Sequence, residues 1–112
     1  MSALAISDGL APIRSRFLDL LDARQTAIHA DLEFVFAHPE RAGPALERIM
    51  ADLHKIAGTS GTLGFADLGD RARRAEYAIA ELLDAPSGPA TPVYMLIIDV
   101  LEAALDILDP AT

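Results

Sequence analysis

Seven prolines limit the fold of this chain more than any other feature. They stand at Pro12, Pro39, Pro44, Pro86, Pro89, Pro92 and Pro110. Proline lacks the N–H that a helix interior or a central strand requires, so it gathers at the ends of elements. Regular structure must therefore occupy the stretches between. In those stretches apolar residues recur every three or four positions, the period of a helix. None alternates apolar and polar with period two, so no strands are predicted.

Four helical segments follow from this spacing. The first runs from about Ala11 to Ala37, with Pro12 in its opening turn, where a missing N–H is harmless. Its stripe is Ile13, Phe17, Leu20, Leu21, Ile28 and Val35, and the phase loosens after Arg24, which leaves room for a kink or break. The second runs from about Pro44 to Leu63 on Leu46, Ile49, Leu53, Ile56 and Leu63. The third, about Phe65 to Leu83, is heptad-like through Phe65, Leu68, Ala72, Ala75, Ile79 and Leu82. The fourth opens with Thr91 as N-cap and Pro92 as the first helical residue, and ends before Pro110. Apolar residues make up 52% of the chain but aromatics only 5%, so the core is aliphatic, which suits packed helices. Four helices with short connections give an all-α fold, an antiparallel up-down four-helix bundle. It is expected to form one domain over residues 1–112, with its core between 10 and 109, and to be a monomer.

Composition removes several function classes. Without cysteine there is no disulfide and no thiolate metal site. A net charge of −8 argues against nucleic acid or an anionic membrane as partner. The most apolar run, "VYMLII", is soon interrupted by Asp99 and Glu102, too early for a membrane span. Met1 to Ala11 lacks the basic start and apolar run of a secretory leader, so a cytoplasmic protein is expected. His29 and His38 lack ligands at metal spacing, and no histidine has a carboxylate three residues before it, as di-iron bundles require. No phosphate-binding or dinucleotide fingerprint occurs. No metal or cofactor is expected on this chain.

One stretch stands apart: "HKIAGTSGTLG", His54 to Gly64. Each glycine inside a helix costs about 1 kcal/mol relative to alanine, so three beside a histidine need a reason. On a helical wheel His54 lies about 130° from the centre of the apolar stripe and points outward. Ala51, Ala57, Gly58 and Gly61 surround it on the same face. A bare backbone beside a projecting imidazole lets another protein approach closely. Gly64 is placed to cap the end of the helix before the next one starts.

The run "LHKIAGTSGTLGFADLGDRARRAE" resembles the phosphoacceptor helix and following helix of histidine-containing phosphotransfer (HPt) domains of two-component phosphorelays. The matching residues are His54, Gly58, Ser60 with Gly61, the Gly64–Phe65 pair and Leu68. The upstream "IRSRFLDLL" is similar to the family's preceding helix. The resemblance implies a four-helix bundle with His54 as phosphoacceptor and no autokinase or nucleotide site. It implies receiver domains of response regulators and a hybrid sensor kinase as partners, with Mg²⁺ held by the receiver. The family usually places a lysine three residues after the histidine. Here Ala57 stands there, and Lys55 directly follows the histidine.

The residues suit that chemistry. Neutral imidazole is nucleophilic and titrates near physiological pH, and phosphoryl transfer needs attacking and leaving atoms in line. Lys55 and Gly58 are the expected neighbours of the phosphoryl group. Arg48, Ala51, Ala57, Gly61, Arg71 and Arg74 are the expected docking residues. Residues 48–74 hold five cations against three carboxylates, a local positive collar in an acidic chain that would favour an acidic receiver. The expected function is a phosphorelay intermediate that takes a phosphoryl group from one receiver and passes it to another. The rival is a helical adaptor that binds a receiver or other partner without being phosphorylated.

Overall fold

The computed structural model describes the backbone of residues 2–110 and the side chains of residues 9–110. Four helices make up nearly all of it: α1 (Ser2–Ala37), α2 (Ala42–Ser60), α3 (Ala66–Asp84) and α4 (Thr91–Leu108). Turns of 3₁₀ helix at Pro39–Arg41 and Gly61–Leu63 flank α2. No strand occurs among the described residues. α1 and α3 each pack on both α2 and α4, so α2 and α4 stand on one diagonal of a square bundle.

A single aliphatic core fills the square. α1 supplies Phe17, Leu21, Ile28, Leu32 and Val35, and α2 supplies Leu46, Ile49, Leu53 and Ile56. α3 adds Leu68, Ala72, Ala75 and Ile79, and α4 adds Val93, Ile97, Val100, Leu101 and Ala104. Each large side chain buried here stabilises the fold by about 1.5–3 kcal/mol. The small residues of α3 let it approach α2 closely. A Cβ built on the buried Gly69 would lie 3.3 Å from Ser60 Cβ and 3.6 Å from the Ala57 carbonyl oxygen. Ser60 is fully buried, yet its hydroxyl is satisfied by donating to the Ile56 carbonyl.

The turn from α2 to α3 is set by Gly64, which adopts φ 92° and donates its N–H to the Gly61 carbonyl. Only glycine occupies that left-handed conformation without strain. Phe65 follows, and its ring stacks on Phe17 of α1 at 5.3 Å between centroids. The Gly–aromatic pair thus reverses the chain and pins the reversal to the long first helix.

The structure corrects the expected first helix. It starts at Ser2 rather than near Ala11, and Pro12 lies inside it. Ala11 to Arg16 are exposed there, so water can serve the carbonyl that proline leaves without a donor. Nor does the helix break at Arg24. Its buried stripe is Phe17, Leu21, Ile28, Leu32 and Val35, a regular helical series, while Ile13 and Leu20 belong to a neighbouring groove. A helix of 36 residues is about 54 Å long at about 1.5 Å per residue, which accounts for the 57 Å length of the molecule. α1 therefore overhangs the shorter helices at its N-terminal end. At α4 the cap shifts by one: Ala90 is the N-cap and Thr91 the first helical residue. No helix among the described residues is long and apolar enough to cross a membrane.

Candidate functional site

His54 projects from the outer face of α2 with 77% of its side chain exposed. Ala51 and Gly58 flank it on α2, and Gly61 follows in the 3₁₀ turn; all three are exposed. A Cβ built on Gly58 or Gly61 would meet nothing within 4 Å, so neither glycine is needed for internal packing. Ala57 departs from expectation. It is buried at 9% exposure, because Gly69 brings α3 against the backbone at that position. It closes the α2–α3 seam and is not part of the open face.

The imidazole is held from behind. Its Nδ1 lies 2.9 Å from Glu76 Oε2 on α3. An ionised carboxylate only accepts, so Nδ1 must carry the proton and donate it to Glu76. In the neutral ring the lone pair then sits on Nε2. The Glu76 side chain is only 19% exposed, which keeps its carboxylate partly shielded from water. Sequence reading missed Glu76, although a signal existed. In an antiparallel hairpin reversing at Gly64, the residue facing His54 falls ten to twelve positions beyond the glycine, and Glu76 is there.

On the other flank an open groove of about 480 Å³ runs between α1 and α2. Ile13, Phe17, Leu20 and Leu63 give it an apolar floor. His54, Lys55, Gly58 and Thr59 form one wall, and Arg16 and Arg24 of α1 line it as well. The cations at the groove are thus Lys55, Arg16 and Arg24, the last two missed because they come from a distant helix. Asp52 is nearby; partial burial pushes its carboxyl above the ordinary carboxylate range, while Lys55 and Arg24 pull it back down.

The arginines expected to form the collar are placed differently. Arg48 donates two hydrogen bonds to Asp31 of α1, at 3.1 and 2.9 Å. Arg71 donates to Asp67 at 2.8 Å and to Asp99 of α4 at 2.6 Å, and it lines the α3–α4 groove instead. Arg74 is exposed and lies outside the His54 groove. His29 and His38 lie against Glu33 and Glu40 at 2.9 and 3.9 Å. Among the described residues no group of three or more potential ligands could hold a metal ion.

A four-helix bundle that displays an oriented, exposed imidazole on a cleared helix face defines a class of small histidine-presenting modules. Within that class the match is specific: the family model described as the Hpt domain covers residues 12–109, nearly the whole sequence, and the chain belongs to the Hpt domain family. Comparisons with curated proteins and with solved structures returned no significant match. Membership assigns the chain a phosphotransfer role in two-component signalling, in which Hpt domains interact with receiver domains of response regulators.

Proposed function

We propose that His54 accepts a phosphoryl group from the phosphorylated aspartate of one receiver domain and passes it to the aspartate of another. The Nε2 lone pair attacks phosphorus in line with the departing carboxylate oxygen. The N–P bond forms as the O–P bond breaks, and the carboxylate leaves with the electron pair. The proton on Nδ1 stays in place, so the phosphorylated ring is cationic. Glu76 stabilises that charge as it develops. Transfer onward is the same step reversed. The receiver supplies Mg²⁺ and the acidic pocket, and the bundle supplies an oriented nucleophile.

The observation that carries this reading is the Nδ1–Glu76 contact on a histidine left 77% exposed. His29 makes a contact of the same length, but along its own helix and to an exposed Glu33, whereas His54 is held by a carboxylate of a neighbouring helix that is only 19% exposed. The groove beside it, with an apolar floor and three cations, gives the receiver a surface to dock against. Gly58 and Gly61 keep that approach clear, and Lys55 stands nearest in sequence to the phosphoryl group. A hybrid sensor kinase is the natural source of the first receiver.

The test is incubation with a receiver phosphorylated by a small-molecule phosphodonor. The wild-type protein should gain an acid-labile, base-stable label, and a folded His54→Gln variant should gain none. Receiver binding without any label on the wild type would favour the adaptor reading instead.

A further inference from the structure

The side of the bundle formed by α1 and α4 differs in character from the His54 side. At its lower end lies an open groove of about 380 Å³ between the two helices. Leu18, Leu105, Ile107 and Leu108 form its floor, and Asp19, Asp22 and Asp109 its rim. Further along the same side, Phe36 of α1 meets Tyr94 of α4 edge to face at 5.3 Å. Phe36, Met95 and Leu105 keep 53%, 59% and 48% of their surfaces exposed, where a helix of a monomer usually turns polar residues outward.

From Phe17 onward the charge of this side has one sign, with Arg14, one turn before Leu18 on α1, as the cation at its edge. Between Phe17 and Ala37 the only Lys or Arg is Arg24, which lines the His54 groove instead. From Thr91 to the end of the chain there is none. The carboxylates of Asp19, Asp22 and Glu33 remain, and His29 is engaged with Glu33; Glu102 and Asp106 line the α3–α4 groove beside Arg71. Such a surface repels an anionic membrane and nucleic acid. A second copy presenting the same side would set carboxylates against carboxylates. The complement is an apolar stripe edged with cations.

We propose that the α1–α4 side is a second docking surface, which takes a lysine- or arginine-rich amphipathic helix from a partner protein. The aliphatic side chains of that helix lie on Leu18 and Leu105, and its cations meet Asp19 and Asp22. The surface shares α1 with the His54 groove but uses another face of it, Leu18, Asp19 and Asp22 rather than Ile13, Arg16, Leu20 and Arg24, so this partner and a receiver at His54 can be bound together. The proposal does not depend on the phosphorylation of His54.

The probe is a synthetic peptide of leucine and lysine in helical amphipathic order. The control has the same composition in an order that scatters its leucines. Titration of the isotope-labelled protein, followed through amide shifts, should move Leu18, Asp19, Asp22, Phe36, Tyr94 and Leu105 and leave Leu20, Arg24 and residues 51–61 in place. The control should bind at least tenfold more weakly. Asp19→Lys and Leu105→Lys variants, checked for unchanged melting, should each weaken the peptide severalfold, and added salt should weaken it further. Equal binding of both peptides, shifts centred on His54, or no saturable binding would overturn the proposal. So would sedimentation as a dimer that buries this side. Label uptake by His54 with the peptide bound should stay at the free rate, so a failure here is separable from a failure at His54.

Discussion

Removing the charge of Glu76 while keeping its shape should slow the forward transfer more than the reverse. In the ground state Glu76 orients a neutral ring, and in the phosphorylated state it faces a cationic one. A hydrogen bond to a charged partner contributes about 1.5–3 kcal/mol net, against about 1 kcal/mol for a neutral one. The difference realised as charge develops is about 1–1.5 kcal/mol, and about 1.4 kcal/mol corresponds to tenfold in rate. Glu76→Gln should therefore accept phosphoryl about tenfold more slowly, and its equilibrium should shift toward the phosphorylated receiver by at least as much. Glu76→Ala also frees the ring to rotate, so its loss should be larger, about thirty- to a hundredfold. The assay is single-turnover transfer by rapid quench in both directions, with the receiver saturating. Receiver affinity should hardly change, because Glu76 sits behind the ring. A folded Glu76→Gln that accepts at the wild-type rate would refute the reasoning, as would equal slowing in both directions.

Three further outcomes follow from the same geometry. Gly58→Gln should slow transfer at least tenfold in kcat/KM while melting at or above the wild-type temperature, since exposed helical glycine costs about 1 kcal/mol relative to alanine and nothing inside the fold opposes a side chain there. Replacing Arg24 and Lys55 with alanine should lower the association rate severalfold, with the loss shrinking as salt rises, read by stopped-flow at low and moderate ionic strength. Burial raises the Asp52 carboxyl in the folded state, so the native protein holds more protons than the unfolded chain across that range, and the group penalises stability once pH exceeds its folded value. Asp52→Asn should raise the melting temperature at pH 7, and the gain should vanish as pH falls below the ordinary carboxylate range.

Much of this architecture could be read from the residues alone because it rests on local signals. Prolines other than Pro12 fall at or near the helix ends, and the stripes Leu46–Ile49–Leu53–Ile56 and Leu68–Ala72–Ala75–Ile79 are the buried faces observed. Gly64 announced a left-handed cap, and φ 92° fulfils it. The first helix was misjudged for a physical reason. A proline is tolerated inside a helix where the turn stands in water, and no local pattern reveals that the turn will stand outside the bundle. The outward direction of His54 was legible from its angle to the stripe. Its anchor was not, because Glu76 reaches it only through the α2–α3 register. Ala57 looked like part of the open face on the wheel of one helix. The closeness of α3, permitted by Gly69, puts it in the seam. Charge was the least legible feature. Counting arginines near His54 in sequence favoured Arg48 and Arg71, yet each is engaged by a carboxylate from a neighbouring helix, and the groove draws Arg16 and Arg24 from α1.

In the proposed mechanism His54 carries the phosphoryl group on Nε2 while Nδ1 keeps its proton toward Glu76. The most direct measurement is two-dimensional ¹H–¹⁵N correlation through the ring bonds, together with ³¹P spectra, on isotope-labelled protein phosphorylated by its receiver. The spectra should show one phosphoramidate signal, assigned to His54, coupled to Nε2, with Nδ1 protonated and its shift altered in Glu76→Gln. A phosphoryl group on Nδ1, on His29 or His38, or on no histidine at all would contradict it.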